Sequence, residues 1–447
     1  MSYKTYDKLQ EVDNTFFKQI PEHWNIFKLK YIINSLESGK RKDFESEDYA
    51  FSLGGEHINW DGTLNLKNKR YISKDFYNSM SKGKIQENDT LLVKDGATIG
   101  KTAFVNNLTQ KMAVNEHVFI IRNNHLLIPN LLYYLIASNL GFAQIKLTET
   151  GSAQGGISQD ILDKVRFAIP NSLQEQQQIV NYLDKKTAKI DATIAKNEEL
   201  IQLLEEKRVA LINQVVTKGL NPNVPIKDSG VEWIGEIPEH WDKTKIRFLG
   251  TLQNGISKSS EYFGHGYPFI SYGDVYNNDE IPDVINGKAK TTISERIAYS
   301  VQKNDIFCTR TSETIDEVGI TSLCTKTIEN GTFSGFLIRF RLFKNIDINV
   351  NFLKFYLQSI AIRHYFAKMM IIVTRASLGQ NLLNNLNILL PPMEEQIQIA
   401  DYLDKETSII DKTIEKIKVN INLLEEYKTS LIHHVVTGKI DVRGEKI

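Results

Sequence analysis

The most restrictive feature of this sequence is that one long segment occurs in it twice. Residues 175–217 and 395–437 align without a gap and are identical at 24 of 43 positions. A shorter motif, IPEHW, begins at residues 20 and 237 and opens two regions that resemble each other only in patches. Two copies are too few for a stacked solenoid, so the pattern predicts duplication of one unit, a variable lobe followed by a shared segment.

The shared segments predict two long helices with a coiled-coil seam. At the a and d positions of a heptad, eight of eleven residues are apolar in 180–215 and nine of eleven in 400–435, and neither range contains glycine or proline. A lone helix with such a stripe must bury it, and each helix has a partner in its twin. The predicted seam residues are Val180, Leu183, Ile190, Ile194, Ile201, Leu204, Leu211, Val215, Leu403, Ile410, Ile414, Ile421, Leu424, Leu431 and Val435.

A pseudo-twofold between duplicated units predicts that the two helices run antiparallel, like a dimer fused into one chain. Polar residues recur in register within the seam, Thr187 with Thr407 and Arg208 with Lys428, and we expect them to fix its alignment. The alternative is that each helix packs only on its own lobe. The predicted fold class is α+β, with two mixed lobes joined by an antiparallel coiled coil.

Each lobe is predicted to contain strands first and a helix near its end. Alternating apolar residues predict strands closed by turns in 49–59 and 90–96, and likewise in 267–276 and 305–311. One further strand is expected in 112–122, with its counterpart in 331–341. Helical spacing predicts matching amphipathic helices at 130–138 and 351–359. Trp24 and Trp241, which end the two IPEHW motifs, are expected to be packing anchors.

Composition excludes several classes of protein. The chain has 54 basic and 54 acidic residues, so no overall positive charge points to nucleic acid. Two cysteines, Cys308 and Cys324, are too few for a disulfide framework or a four-cysteine zinc site. With no apolar leader and no stretch long enough for a bilayer, the sequence predicts a cytoplasmic protein without a membrane partner.

Motifs that resemble catalytic ones do not match on inspection. GATIGKT at 96–102 lacks the four-residue spacing of a phosphate-binding loop, and it is better explained as a hairpin with Gly96 and Gly100 at its turn. FGHG at 263–266 is not accompanied by the tetrapeptide with which adenine methyltransferases hold a flipped base. Asp283 lacks a partner for a magnesium site, and the nine histidines have no metal-binding spacing. We therefore expect a binding protein with no catalytic residue and no metal.

Together, these motifs resemble the specificity subunit of type I restriction–modification systems. The resemblance is carried by the two IPEHW openings, the two EQ-x-Q-I-x-x-YLD helix starts and the linker DSGVEWIGEIPEHW at 228–241. TGSAQGGIS at 150–158 is also typical, although Gly155 and Gly156 replace the usual Pro–Asn. The resemblance covers residues 1–437. It implies target-recognition domains at 1–172 and 237–392, conserved spacer helices at 173–219 and 393–437, a linker at 220–236 and a tail at 438–447.

The resemblance also implies a function. Each target-recognition domain reads one half of a bipartite double-stranded DNA target, while the helices set the gap and dock two methyltransferase subunits. Motor–nuclease restriction subunits complete the complex. S-adenosylmethionine, ATP and Mg are expected on the partner subunits and none on this chain. The resemblance implies that this chain is a non-catalytic subunit of a DNA adenine methyltransferase and restriction endonuclease complex.

Basic and amide side chains on the lobe loops are the candidates for contact with bases and phosphates. They are Lys40, Arg41, Lys42, Lys94, Lys101 and Gln154 in the first lobe and Lys258, Arg310, Arg375 and Gln380 in the second. For each of them the alternative is a solvated surface residue. Lys94 and Arg310 stand out because they follow equivalent predicted strands.

Two other functions stay open at this point. One is a coiled-coil scaffold that binds protein and not DNA, which salt-sensitive binding to duplex DNA in the presence of a methyltransferase partner would exclude. The other is a catalytic DNA enzyme with diverged motifs. Turnover of S-adenosylmethionine or ATP by the purified chain would reveal it.

Overall fold

The computed structural model describes residues 3–40, 49–68, 70–150, 155–312, 314, 317–369 and 376–445. The chain forms two compact units. Unit 1 consists of Met1–Asn197 and Lys418–Ile447, and unit 2 consists of Glu198–Ile417. Each unit combines one lobe of mixed helices and strands with parts of two long helices, so the predicted α+β class is confirmed.

The two long helices are the main elements of the fold. The first spans Leu173–Lys218 with 46 residues, and the second spans Met393–Val436 with 44 residues. At 1.5 Å per residue, each is roughly 65–70 Å long. Both are followed closely by a glycine in the left-handed region, Gly219 at φ 74° and Gly438 at φ 71°. Such a glycine ends a helix at little steric cost.

The two helices run antiparallel within unit 1. The Lys428 ammonium lies 2.7 Å from the Asp191 carboxylate. Glu175 lies sixteen positions before Asp191 in the first helix and accepts a hydrogen bond from Trp24. The Trp24 ring lies against Gly438, which follows the carboxyl end of the second helix. Moving toward the start of one helix therefore moves toward the end of the other.

Unit 2 contains the equivalent arrangement. Arg208 Nε lies 3.1 Å from an Asp411 carboxylate oxygen, and Gly219 lies beside Glu395 at the start of the second helix. Asp191 and Asp411 occupy the same place in the repeat, as do Lys428 and Arg208. The antiparallel direction is thus confirmed in each unit, and the recurring Arg208 and Lys428 each join the two helices.

Burial follows the predicted seam. Within the first helix, Val180, Leu183 and Ile190 are buried in unit 1 and Val215 is buried in unit 2, while Ile194, Ile201, Leu204 and Leu211 are half-buried. Within the second helix, Leu403, Ile410, Ile414, Leu431 and Val435 are buried, and Ile421 and Leu424 are half-buried.

Lobe 1, residues 3–172, contains a four-stranded antiparallel sheet and a smaller three-stranded one. The strand order of the first is Ile33–Ser38, Val118–Asn123, Thr90–Val93 and Thr102–Phe104, and that of the second is Tyr71–Ile72, Ala50–Leu53 and Met112–Val114, the last pair parallel. Three two-stranded ladders join Leu9–Glu11 to Gln19–Pro21, Trp24–Lys28 to Arg166–Pro170, and Glu149–Thr150 to Gly156–Ile157. The helices are Lys74–Ser79, Pro129–Ala137, Asn139–Lys146 and Ile161–Lys164.

Lobe 2, residues 219–392, repeats this plan. Its four-stranded sheet has the order Gly250–Asn254, Leu337–Leu342, Ile306–Thr309 and Thr321–Leu323, and its three-stranded sheet has the order Lys288–Ala289, Phe263–Ile270 and Thr332–Phe333. The two-stranded ladders pair Ile226–Asp228 with Glu236–Pro238, Asp242–Lys245 with Asn387–Leu390, and Thr311–Ser312 with Ala376–Ser377. The helices are Tyr272–Tyr276, Ile293–Ala298, Val350–Gln358, Ile360–Met369 and Gln380–Asn384.

Two local predictions were wrong. The single strand expected in 112–122 is two strands, Met112–Val114 and Val118–Asn123, which belong to different sheets. The second half of the strand expected in 267–276 is the helix Tyr272–Tyr276, because Ser271 and Asp274 form a capping box that starts a helix there. The predicted hairpin around 96–102 is confirmed, with Gly96 and Gly100 both at positive φ.

The segment 220–236, expected to be a linker, folds onto lobe 2. Its strand Ile226–Asp228 pairs with Glu236–Pro238, and Val231 and Ile234 join the buried apolar cluster of unit 2. Among the residues that the structure describes, no helix has the length and apolar character needed to cross a membrane.

Candidate nucleic-acid interface

Lys94 and Arg310 occupy equivalent places in the two lobes. Each follows an inner strand of a four-stranded sheet, Thr90–Val93 or Ile306–Thr309. The Lys94 N–H donates to the His117 carbonyl at 2.9 Å, and its own carbonyl accepts from the Ile157 N–H at 2.7 Å.

The same two bonds recur at Arg310. Its N–H donates to the Phe336 carbonyl at 2.8 Å, and its carbonyl accepts from the Leu378 N–H at 2.7 Å. Each residue therefore holds together three segments of its lobe at one point. The sequence prediction that they follow equivalent strands is confirmed.

The surroundings of these two side chains differ. The Lys94 ammonium lies 5.2 Å from the Phe119 ring centroid and 4.0 Å from Asp95, which is also hydrogen bonded to His117 at 2.5 Å. Arg310 donates one guanidinium N–H to the Gly335 carbonyl at 3.2 Å. A lysine offers a compact charge and an arginine a planar fork, so the two lobes present different side-chain chemistry at the same place.

Lys101 lies beside an aromatic residue that the sequence analysis missed. Its ammonium is 5.7 Å from the ring centroid of Trp60, which is 63% exposed and packs edge-on against Phe142. An exposed tryptophan next to a lysine is a surface on which an anionic aromatic ligand can stack. The only signal in the sequence was the W-D-G turn at 60–62, which has no counterpart in the second lobe.

Two candidates in lobe 2 make contacts within the lobe. The Lys258 ammonium donates to the Lys290 carbonyl at 2.8 Å and to Glu295 at 2.9 Å, and its side chain is 14% exposed. The backbone N–H of Thr292, and then the Lys258 ammonium, hold the pKa of Glu295 below its usual range. Gln380 donates to the Asn254 side chain at 2.9 Å.

The remaining candidates fall into two groups. Lys40 is exposed and follows the strand Ile33–Ser38. Arg41, Lys42, Gln154 and Arg375 lie outside the described residues.

A repeated cluster of polar residues fixes each lobe to the start of a long helix. Glu175 is buried and accepts from Trp24 at 3.0 Å, from Tyr6 at 2.8 Å, and bonds to His23 at 2.7 Å. Trp24 is 1% exposed and its counterpart Trp241 is 0% exposed, so the prediction that both are packing anchors is confirmed. The sequence analysis missed Glu175, although its place in the repeated EQ-x-Q motif could have suggested that a buried indole N–H needs an acceptor.

Unit 2 repeats this cluster around the carboxylate of Glu395. That residue accepts from Trp241 at 3.0 Å and bonds to His240 at 2.9 Å. In the described part of the chain, no group of three or more His, Cys, Asp or Glu side chains is arranged to hold a metal ion.

Comparison with known proteins identifies the family. The family model for the type I restriction modification DNA specificity domain matches twice, at residues 21–202 and 238–423, and so covers most of the chain. This chain belongs to that family. It is 23% identical to the MjaVIII specificity subunit of Methanocaldococcus jannaschii over 95% of each chain. It is also 23% identical to the EcoKI specificity subunit of Escherichia coli (strain K12), over 89% of this chain and 85% of that one.

Solved structures share the fold. A chain from a study of complex assembly and conformational transition in a type I restriction–modification system aligns with a TM-score of 0.68 and 18% identity, covering 94% of this chain and 99% of that one. The HsdS subunit of Thermoanaerobacter tengcongensis aligns with a TM-score of 0.54 and 16% identity, covering 95% and 99%. The duplicated architecture is therefore that of known specificity subunits.

Proposed function

We propose that this chain is the sequence-specific DNA-binding subunit of a type I restriction–modification complex, and that each lobe reads one half of a bipartite target. The observation that carries the proposal is the equivalence of Lys94 and Arg310. Identical backbone bonds hold the two residues in place, while their side chains differ. A protein that recognises two different half-sites needs the same backbone framework in both lobes with different side chains on each. A symmetric homodimer, by contrast, recognises a palindrome.

The two side chains differ in what they can read. Arginine can bond in bidentate fashion to the O6 and N7 of guanine, and one good pair of this kind discriminates by about 1–3 kcal/mol. Arg310 uses one N–H on the Gly335 carbonyl, which orients the rest of the guanidinium. Lysine in the equivalent loop is suited to a phosphate or a single acceptor, and Lys101 beside Trp60 extends that basic surface in lobe 1.

The long helices are proposed to set the gap between half-sites and to dock two methyltransferase subunits. Leu203 in unit 2 and Leu423 in unit 1 occupy the same place in the repeat, outside the seam, and are 54% and 57% exposed. An exposed leucine retained in both copies supports a partner that binds twice through the same contact. Methylation and cleavage are then functions of the partner subunits, with S-adenosylmethionine, ATP and Mg bound there, in a cytoplasmic complex to which this chain contributes no catalytic residue.

The decisive experiment maps the methylated sequences produced by the assembled methyltransferase. Replacing residues 237–393 with the lobe of a relative is expected to change one half-site and to leave the other and the gap unaltered. Loss of both half-sites, or an unchanged target, contradicts the proposal.

Point variants give a finer test with matched controls. Arg310→Ala is expected to relax the specificity of one half-site, and Lys94→Ala to affect only the other. Binding to duplex DNA is measured over a salt series, because loss of a phosphate contact lowers the salt slope by about 1 and loss of a base contact does not. Equal effects of both variants on both half-sites overturn the assignment of one lobe to each.

A further inference from the structure

An exposed phenylalanine of lobe 2 lies next to Arg310. Phe336 stands between the strands Thr332–Phe333 and Leu337–Leu342, and its side chain is 60% exposed. Its carbonyl accepts a hydrogen bond from the Arg310 backbone N–H at 2.8 Å, and the Arg310 guanidinium donates to the carbonyl of the preceding residue, Gly335, at 3.2 Å. The phenylalanine and the guanidinium therefore belong to the same short turn.

The backbone at Phe336 is held in one conformation by hydrogen bonds. Its N–H donates to the Ser334 hydroxyl at 3.2 Å, and the Leu337 N–H donates to the Ser334 carbonyl at 2.9 Å. Phe333 and Leu337 on either side are fully buried, so the turn is fixed to the core at both ends. A ring presented on such a backbone loses little conformational freedom when a ligand covers it.

Lobe 1 has the same turn with a different side chain. His117 occupies the place of Phe336, since its N–H donates to the Asn115 side-chain oxygen at 2.9 Å and its carbonyl accepts from the Lys94 N–H at 2.9 Å. Both bonds match those of Phe336. The two lobes therefore share this backbone framework and differ in the side chain that it presents to solvent.

The charges around the turn also differ between the lobes. In lobe 1, His117 bonds to Asp95 at 2.5 Å and lies 3.3 Å from Glu116. The residues at the two acidic places are Thr311 and Gly335 in lobe 2, which carry no charge. The turn of lobe 2 keeps its guanidinium but lacks both carboxylates of lobe 1, so negatively charged DNA meets less repulsion there.

The chemistry of a phenyl ring restricts what it can recognise on DNA. Phenylalanine has no hydrogen-bond donor or acceptor, so it cannot read the polar edge of a base. The 5-methyl group of thymine is an apolar group in the major groove, and phenylalanine is one of the side chains that contact it there. Guanine O6 and N7, the atoms suited to Arg310, lie in the same groove. One turn can therefore contact two neighbouring base pairs.

We propose that Phe336 is a specificity-determining residue of lobe 2, whose ring contacts the 5-methyl group of a thymine beside the base pair that Arg310 contacts. The inference rests on the proposed DNA recognition and adds a second base pair to the half-site of lobe 2. At the same place His117 offers lobe 1 a polar side chain, so the two half-sites differ at this position as well.

The test removes the methyl group alone. The half-site of lobe 2 is assigned by the methylation maps and the exchange of residues 237–393. Each thymine in that half-site, on either strand, is then replaced by deoxyuridine, and binding of the assembled methyltransferase to the duplex is measured by fluorescence anisotropy. One replacement is expected to weaken binding of the wild type about fourfold, the loss that corresponds to one buried methyl-sized group.

Variants of Phe336 connect this loss to the ring. Phe336→Ala is expected to bind the thymine duplex about fourfold more weakly and to show no further loss with uracil, because the two changes remove the same contact. Phe336→His, which introduces the residue of lobe 1, gives the same result, whereas Phe336→Leu keeps part of the difference between thymine and uracil.

Phe248→Ala is the matched control. Its ring is 58% exposed and lies two residues before Gly250, which pairs with Leu342 at the far end of the strand that Phe336 precedes. This variant is expected to distinguish thymine from uracil as the wild type does. Because both rings are exposed, their replacement costs little stability, and circular dichroism checks that each variant is folded.

The proposal is overturned if no thymine in the half-site of lobe 2 responds to loss of its methyl group, or if Phe336→Ala responds to uracil as the wild type does. It is also overturned if Phe336→Ala weakens binding of the methyltransferase subunit and leaves base preference unchanged, since the ring is then a protein contact. A wild type without sequence selectivity contradicts the proposed function itself, whereas a selective wild type with unaffected Phe336 variants contradicts only this inference.

Discussion

Lys354 allows a quantitative prediction, because it and its two partners differ sharply in exposure. The lysine side chain is 4% exposed, whereas Glu280 and Asp404 are 51% and 43% exposed. Lys354→Met keeps most of the aliphatic stem and leaves two carboxylates that water can solvate. Its expected cost is about 1 kcal/mol or less, the range of exposed ion pairs.

Removing the carboxylates of Glu280 and Asp404 instead leaves the buried Lys354 ammonium unpaired. Breaking a buried pair in this way costs about 3–5 kcal/mol while the charge is retained. The double variant Glu280→Gln with Asp404→Asn is therefore expected to lose about 3–5 kcal/mol of the free energy of unfolding.

Urea unfolding at pH 7 measures these differences in the free energy of unfolding. The control is Asp283→Asn at the exposed pair with Lys326, where the two side chains are 64% and 70% exposed and the expected loss is below about 1 kcal/mol. The reasoning is refuted if Lys354→Met costs as much as the double variant.

Three further predictions follow from other features. Burial, then Lys439 and His434, lower the pKa of His433 to about 4, so the contribution of neutral His433 to stability is lost as pH falls from about 6.5 to 4. His433→Asn, the residue in the first copy, should flatten that part of a stability profile. Gly438→Ala should lower the melting temperature more than Gly235→Ala, since both glycines have φ near 71–72° but only at Gly438 does an added Cβ meet Pro21. Four residues inserted into one long helix should change the gap in methylation maps while both base patterns persist; altered bases at a constant gap would contradict the spacer role.

The long helices could be predicted from sequence because their signal is long and occurs twice. The seam pattern extends over residues 180–215 and 400–435, so a few polar interruptions do not hide it. The recurring Arg208 and Lys428 could be recognised as alignment residues, but their carboxylate partners could not, since the register of an antiparallel pair is set by tertiary packing. The break at Asn115–His117 was missed because apolar residues continue on both sides of it.

The lobes were less predictable because most of their candidate residues lack a counterpart in the other lobe. Lys94 and Arg310 could be paired since both follow strands with similar sequence. Trp60 could not be found, because its place beside Lys101 and Phe142 depends on residues distant in the chain. Lys258 was predicted as a candidate because it is a lysine on a loop. In the folded lobe, however, its ammonium is hydrogen bonded to the carboxylate of Glu295.

The discontinuity of unit 1 has a consequence for synthesis on the ribosome. Its last portion, Lys418–Ile447, is translated after the whole of Glu198–Ile417, which is one uninterrupted stretch. Val435 and Val436 belong to the same buried apolar cluster as Ile179, so this cluster is incomplete until those two residues have been synthesised. Unit 2 can therefore fold before unit 1 is complete, which reverses the usual order in which amino-terminal domains fold first.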